Sequence, residues 1–120
     1  MKYTESLRKN NDFQKVYKTG TSFANRNLVM YVKENDLSVN RLGISVSKKV
    51  GNSVIRHRLK RLIKEAYRLN EDMFHRGIDV VVIARVNAKN VDYSRMKDSL
   101  LHVAGLHHIV ETEKDEKSND

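Results

Sequence analysis

Between Lys48 and Arg68 the chain reads KKVGNSVIRHRLKRLIKEAYR, eight Lys and Arg around a single acid, Glu65. That stretch holds a net +7 of the +8 carried by all 120 residues, so the rest of the protein is close to neutral. A segment so charged joins a fold only if its apolar residues gather on one side. A helix does this. Asn52 or Ser53 can cap the free N–H groups of a first turn, and no Pro or Gly interrupts Val54 to Asn70. Ile55, Leu59, Leu62, Ile63, Ala66 and Leu69 recur at three- and four-residue steps and form one stripe. His57, Lys60, Arg61, Lys64 and Arg68 fall opposite it, with Arg56 and Tyr67 on one flank and Arg58 near the other.

A face of mixed sign would be ordinary solvated surface, but here the signs are not mixed. Like charges at four-residue steps, as in Arg56, Lys60 and Lys64, destabilise an isolated helix by about 0.2–0.5 kcal/mol per pair. A neutralising partner is the better explanation. A polyphosphate backbone releases condensed counterions when it meets such a face, and Arg adds planar, multidentate contacts to phosphate. A helix reading DNA bases would need side chains aimed at base edges and usually a dimer, and six Lys and Arg on one helix suit phosphates better.

The rest of the chain frames this helix. Asn11 followed by Gln14 predicts a capping-box start and Gly20 a stop, giving a short N-terminal helix with Phe13, Val16 and Tyr17 on one face. From Ser22 to Glu34 the period changes to two, which predicts one long strand. Ala24, Leu28, Met30 and Val32 point one way, and Phe23, Asn25, Asn27, Val29 and Tyr31 the other. Such a mixed aromatic and polar face fits a platform for stacked bases and ordinary cross-strand pairing equally well. A polar turn over Asn35 to Asn40 precedes a second strand on Leu42, Ile44 and Val46. It delivers Lys48 and Lys49 to the mouth of the basic helix, through a joint at which Gly51 is expected to take an unusual backbone shape. After Gly77, Ile78 to Ala84 is a continuous apolar run, the pattern of a strand buried on both faces. Strand, helix, strand implies a parallel pair. A last helix near Asp92 to Val110 carries Met96, Leu100, Val103 and His107 on one stripe.

Composition bounds the chemistry. With 39% apolar residues the chain makes one domain, 1–110, and the charged tail 111–120 is expected to be disordered. No Cys rules out a disulfide framework or thiolate chemistry. The polar start MKYTESLRKN lacks the core of a secretory signal and no run is long enough to span a bilayer, so a soluble protein with no membrane partner is expected. His57, His75, His102, His107 and His108 have no metal-site grouping, and the acids form no compact two-metal motif. Binding and positioning are therefore expected of this chain, with no catalytic or metal-ligating residue of its own.

Ser45 to Val54, SVSKKVGNSV, followed by Arg56-His57-Arg58-Leu59-Lys60-Arg61, resembles the signature of the bacterial ribonuclease P protein subunit. Asn11-Asp12-Phe13, Ala24-Asn25-Arg26 and Ile83-Ala84-Arg85 extend the likeness in order along the chain. His57 departs from it, standing where that family usually has Asn. The resemblance implies an α/β fold of two layers whose parallel crossover is left-handed, against the usual rule. It also implies a cytoplasmic ribonucleoprotein that cleaves precursor tRNA at the 5′ end of the mature sequence, with Mg²⁺ held mainly by the RNA subunit. In that scheme Arg56, His57, Arg58, Lys60, Arg61, Lys64 and Arg68 dock the catalytic RNA, with Lys48 and Lys49 at the edge. Phe13, Tyr17, Asn25, Arg26, Val29 and Tyr31 line a cleft for the single-stranded leader. A generic RNA-binding protein, ribosomal-protein-like and without a role in cleavage, is the alternative.

Overall fold

The computed structural model describes residues 1–111. Its elements follow the order β1 (Thr4–Ser6), α1 (Asn10–Thr19), β2 (Thr21–Ala24), β3 (Leu28–Glu34), β4 (Asn40–Ser45), α2 (Ser53–Leu69), β5 (Ile78–Ala84) and α3 (Tyr93–Leu106). One sheet contains all five strands in the order β1-β4-β5-β3-β2. β5 sits at its centre, parallel to β4 and antiparallel to β3, which is why its sequence is apolar without alternation. The expected α/β fold and parallel β4–α2–β5 unit are both present.

The main core lies between the sheet and the pair α2 and α3. Leu28, Met30, Val80 and Val82 meet Leu59, Ile63 and Ala66 of α2 and Met96, Leu100 and Val103 of α3. On the opposite face α1 lies alone, packing Val16 against Leu7 and Val81. The sheet therefore has helices on both faces, and the α1 side is only partly covered.

Several local expectations are corrected. The strand predicted over Ser22 to Glu34 is two strands joined by a turn. Asn25 breaks it, because its side-chain oxygen accepts from the backbone N–H of Asn27 (3.1 Å) and Leu28 (2.9 Å), a local bond that competes with the sheet ladder. Reversing the chain exchanges the faces: Phe23 now pairs with Met30 and Ala24 with Val29. Phe23 thus lies on the α3 side, its ring edge-on to His107. The capping box does not form, since Lys9 is the N-cap and Asn11 is inside α1. Gly20 closes α1 without a left-handed backbone; a Cβ there would fall 2.6 Å from the Val16 carbonyl oxygen. Gly51 is likewise not left-handed, and the glycine with positive φ is Gly77, at +87°. β1 was not anticipated from its polar sequence; it adds a short parallel edge to β4.

In α2, Asn52 caps the helix by accepting from the Ile55 N–H at 3.0 Å. Tyr67, expected on a flank, is fully buried, while Leu69, expected in the stripe, is 56% exposed. Leu69 is the last residue of α2, and Asn70 caps the helix with its N–H on the Tyr67 carbonyl. α3 ends at Leu106, before the predicted limit, and His107 caps it. Val110 then bridges Phe74, and Glu111 N–H bonds the Met73 carbonyl. Residues 112–120, on which the expectation of a disordered tail falls, lie outside the described residues.

A buried polar node ties the crossover together. Asn40, with no exposed surface, donates to the His75 carbonyl (2.8 Å) and the Tyr67 hydroxyl (3.2 Å) and accepts from Ile78 N–H (3.1 Å). Tyr67 also meets Thr4 Oγ1 at 2.9 Å. Nearby Glu71 accepts from the backbone of Lys2 and Tyr3. Burial opposes the charge of Glu71, yet its hydrogen bonds outweigh that and hold the carboxyl below its ordinary pKa. Asn40→Ala strands the His75 carbonyl and the Ile78 N–H, and a loss of about 3 kcal/mol is expected, read as a lower urea midpoint at unchanged m-value.

Candidate nucleic-acid interface

His57, Lys60, Arg61, Lys64 and Arg68, the five that periodicity placed opposite the stripe, are all exposed on α2, as are Ser53 and Val54 at its start and Leu69 at its end. The five are not equivalent. Arg68 is paired with Glu65 one turn earlier, and that hydrogen bond also lowers the Glu65 pKa. Lys60, Arg61 and Lys64 have no acidic partner among the described residues. Beneath them runs a groove between β1 and α2, with Leu42 and Ile44 in its lining and Arg8 adding a cation that the sequence reading missed.

The two arginines beside His57 are half-buried. Arg58 reaches across to the loop before α3, donating to the carbonyls of Val91 (3.1 Å) and Lys89 (3.0 Å). It is a strut as well as a charge. Arg56 has its Nε enclosed without a hydrogen-bond partner among the described residues. Lys48 and Lys49 are exposed just past the end of β4, in the joint closed by Val50 N–H on the Ser47 carbonyl.

The second surface lies on the other face of the sheet. Cross-strand register sets Ala24, Val29, Ile83 and Ser45 in one row. The next row holds Tyr31, Val81 and Gly43, over which α1 lays Phe13 and Tyr17. The rings of Phe13 and Tyr17 are 6.3 Å apart, and Tyr17 meets Tyr31 edge-on at 5.0 Å. Gly43 makes this packing possible: a Cβ at that position would fall 2.6 Å from Phe13 Cζ. Burial raises the Tyr17 pKa, Tyr31 adds to the effect and a hydrogen bond to Ser45 opposes it. The phenol therefore remains protonated at neutral pH and keeps a donor beside the cleft.

Phe13, Tyr17, Val29 and Tyr31 thus come together as expected, whereas Asn25 and Arg26 sit apart at the β2–β3 turn. The Asn25 amide is engaged with its own turn and with the Ser99 carbonyl of α3, at 2.8 Å. Arg26 is exposed at the turn's tip. Ile83, Ser45 and Gly43 belong to the cleft but were not singled out; the last two alternate with the core residues of β4, a signal the sequence did contain. Among the described residues no three His, Cys, Asp or Glu side chains gather to hold a metal ion, and no helix is long and apolar enough to cross a membrane.

A cationic helix on one face and a half-open aromatic cleft on the other suit a polyanion with unpaired bases, which places the chain among small RNA-binding α/β proteins. A family model described as Ribonuclease P matches residues 1–107. The chain belongs to that family, the protein component of the ribonucleoprotein endoribonuclease that matures tRNA 5′ ends. The ribonuclease P protein component of Lachnoclostridium phytofermentans is 52% identical over 115 residues, which is 96% of this chain and 99% of that protein. That of Clostridioides difficile is 50% identical over 98 residues, 81% and 86% of the two chains. The RNase P protein of Staphylococcus aureus superposes with a TM-score of 0.82 at 40% identity, covering 88% of this chain and 97% of that one. The Thermotoga maritima RNase P protein gives 0.76 at 34% identity, covering 82% and 93%.

The geometry of α2 has a measurable consequence. In the double variant Lys60→Ala and Lys64→Ala, the slope of log K against log salt for RNA binding should fall by about 1.5. The free protein should be as stable as before or slightly more so, because a like-charge pair is gone. An unchanged slope removes this face from the RNA interface.

Proposed function

We propose that this chain docks the catalytic RNA of ribonuclease P through α2 and holds the 5′ leader of precursor tRNA across the open face of the sheet. Arg56, His57, Arg58, Lys60, Arg61, Lys64 and Arg68 make the docking surface, with Lys48 and Lys49 at its edge. Phe13, Tyr17, Val29 and Tyr31 stack the leader bases, flanked by Asn25 and Arg26. The observation that carries the reading is the placement of the two surfaces on opposite sides of one rigid sheet. A protein fixed to the catalytic RNA on one side then presents the leader at a set distance on the other. Holding substrate in place converts an encounter into a near-intramolecular step and raises affinity for precursor over product.

Mg²⁺ enters this proposal as an ion held mainly by the RNA subunit, where it supplies charge stabilisation for phosphodiester hydrolysis. The protein's cations act on the same problem from outside, lowering the repulsion between two polyanions brought together. The assembly works in the cytoplasm.

The test is cleavage of a precursor tRNA at low Mg²⁺ by a bacterial ribonuclease P RNA, with and without this protein. Accurate 5′ processing should return on adding the protein, and the protein alone should cleave nothing. RNA binding without any gain in cleavage would support a generic RNA-binding protein instead. Within the same assay, Phe13→Ala should weaken binding of leader-bearing substrates by about tenfold, the stacking contribution of one or two bases, and leave mature tRNA unaffected.

A further inference from the structure

The sheet end where β3 begins and β5 finishes carries a second polar feature. A recess of about 360 Å³ is lined by Arg26 and Asn27 of the β2–β3 turn, Asn87 and Asn90 after β5, and Asp92 and Arg95 at the start of α3. Its walls are fixed. Arg85 donates from its backbone to the Asn27 carbonyl (2.9 Å) and from its side chain to the Asn25 carbonyl (2.8 Å), joining the turn to the end of β5. Arg58 clamps the opposite wall through Val91 and Lys89.

Inside this frame the Asn27 amide is engaged, donating to Ser99 Oγ of α3 at 2.8 Å, and four other side chains are free. Among the described residues the side chains of Arg26, Asn87, Asn90 and Arg95 make no hydrogen bond and no ion pair. The one acid, Asp92, uses its carboxylate to cap the Arg95 N–H at 2.9 Å. Two guanidinium forks and two amides thus face a space within the size range of small-ligand pockets, with a net positive charge. They also lie at the end of the sheet where the rows of the cleft stop, on the α3 side of that end. Asn27 and Arg26 precede Val29 by two and three residues, in the turn that leads into β3. A single strand stacked over Val29 and Ile83 and continuing over this end of the sheet would meet the recess with its next nucleotides.

We propose that this recess is a backbone-binding pocket for the leader, taking one phosphate between Arg26 and Arg95 and the adjoining ribose on Asn87 and Asn90. The assignment rests on the leader reading of the aromatic cleft and extends it to residues of α3 and its preceding loop. Arg recognises phosphate through paired N–H donors. Amide side chains match the sugar hydroxyls, which donate and accept.

The test uses holoenzyme reconstituted with a bacterial ribonuclease P RNA and precursors whose leaders are lengthened one nucleotide at a time. The variant Arg26→Ala with Arg95→Ala should bind mature tRNA and the shortest leaders as wild type does. Once the leader is long enough to enter the recess, its affinity should fall by about tenfold, with a salt slope shallower by about 0.7. Replacing single leader phosphates by neutral methylphosphonates should reproduce the loss in wild type at one position and add nothing in the variant. Equal loss for mature tRNA, weaker assembly with the RNA subunit, or no loss at any leader length overturns the proposal. Phe13→Ala runs in parallel: if it discriminates by leader and the arginine variant does not, the recess falls alone. If neither discriminates, the leader cleft falls with it.

Discussion

The buried amide of Asn40 is the contact on which the arrangement of this protein most depends. It joins the first residue of β4, the last turn of α2 and the loop that enters β5, the three parts of one crossover. α2 needs this anchor because its apolar contact is narrow. Only Leu59, Ile63, Ala66 and Tyr67 are fully enclosed, and the opposite side is a row of like charges. The Tyr67 hydroxyl, bound by both Asn40 and Thr4, fixes the roll of the helix about its axis and so decides which side chains face outward. A polar node in a low-dielectric setting is strong when every group is satisfied, and here each named group has its partner.

The same logic explains an acid inside the most apolar strand. Asp79 on β5 is buried, yet Arg41 engages both its oxygens, at 2.8 and 2.6 Å, and Asn35 adds a third bond at 2.9 Å. The carboxylate hydrogen bond is the main reason the Arg41 pKa is raised. This pair closes the lower end of the α1-side face, below the aromatic rows. The upper end, by contrast, carries Lys48, Lys49, Arg85 and Arg26, all exposed and none in an ion pair among the described residues. Charge is thus neutralised where the fold needs closure and left open where the strands end beside the cleft.

Much of this was legible in the sequence, for identifiable reasons. The α2 period of 3.6 and the unbroken apolar run of β5 are strong because each reflects burial of many residues at once. The five outward residues of α2 followed directly from that period. What failed turned on single side chains. Asn25 sits in an alternating pattern that continues across it, and only its side-chain bonds to Asn27 and Leu28 convert one strand into a hairpin. β1 is three polar residues whose pairing is visible only once β4 is in place. Tyr67 and Leu69 lie at the two margins of the helical stripe. Hydropathy favours Leu, but the helix ends beside Leu69, while Tyr67 has partners for its hydroxyl. The arrangement of Phe13 over Gly43 was hidden for the same reason, since it is a contact between two elements and not a property of either.

The free protein therefore holds an unfavourable feature that its partner relieves. Each like-charge pair on α2 opposes helix formation by about 0.2–0.5 kcal/mol, a small cost beside the packing of its buried face. That asymmetry makes the packed face, with Leu59, Ile63, Ala66 and Tyr67 buried, the term that holds the helix against its own charge. Salt then acts in opposite directions on the two states. It screens the repulsion in the free chain and also weakens the counterion-release gain on binding, and the second effect is larger because many phosphates contribute. The charge on α2 is a cost to the fold alone and a gain only when a polyanion meets it.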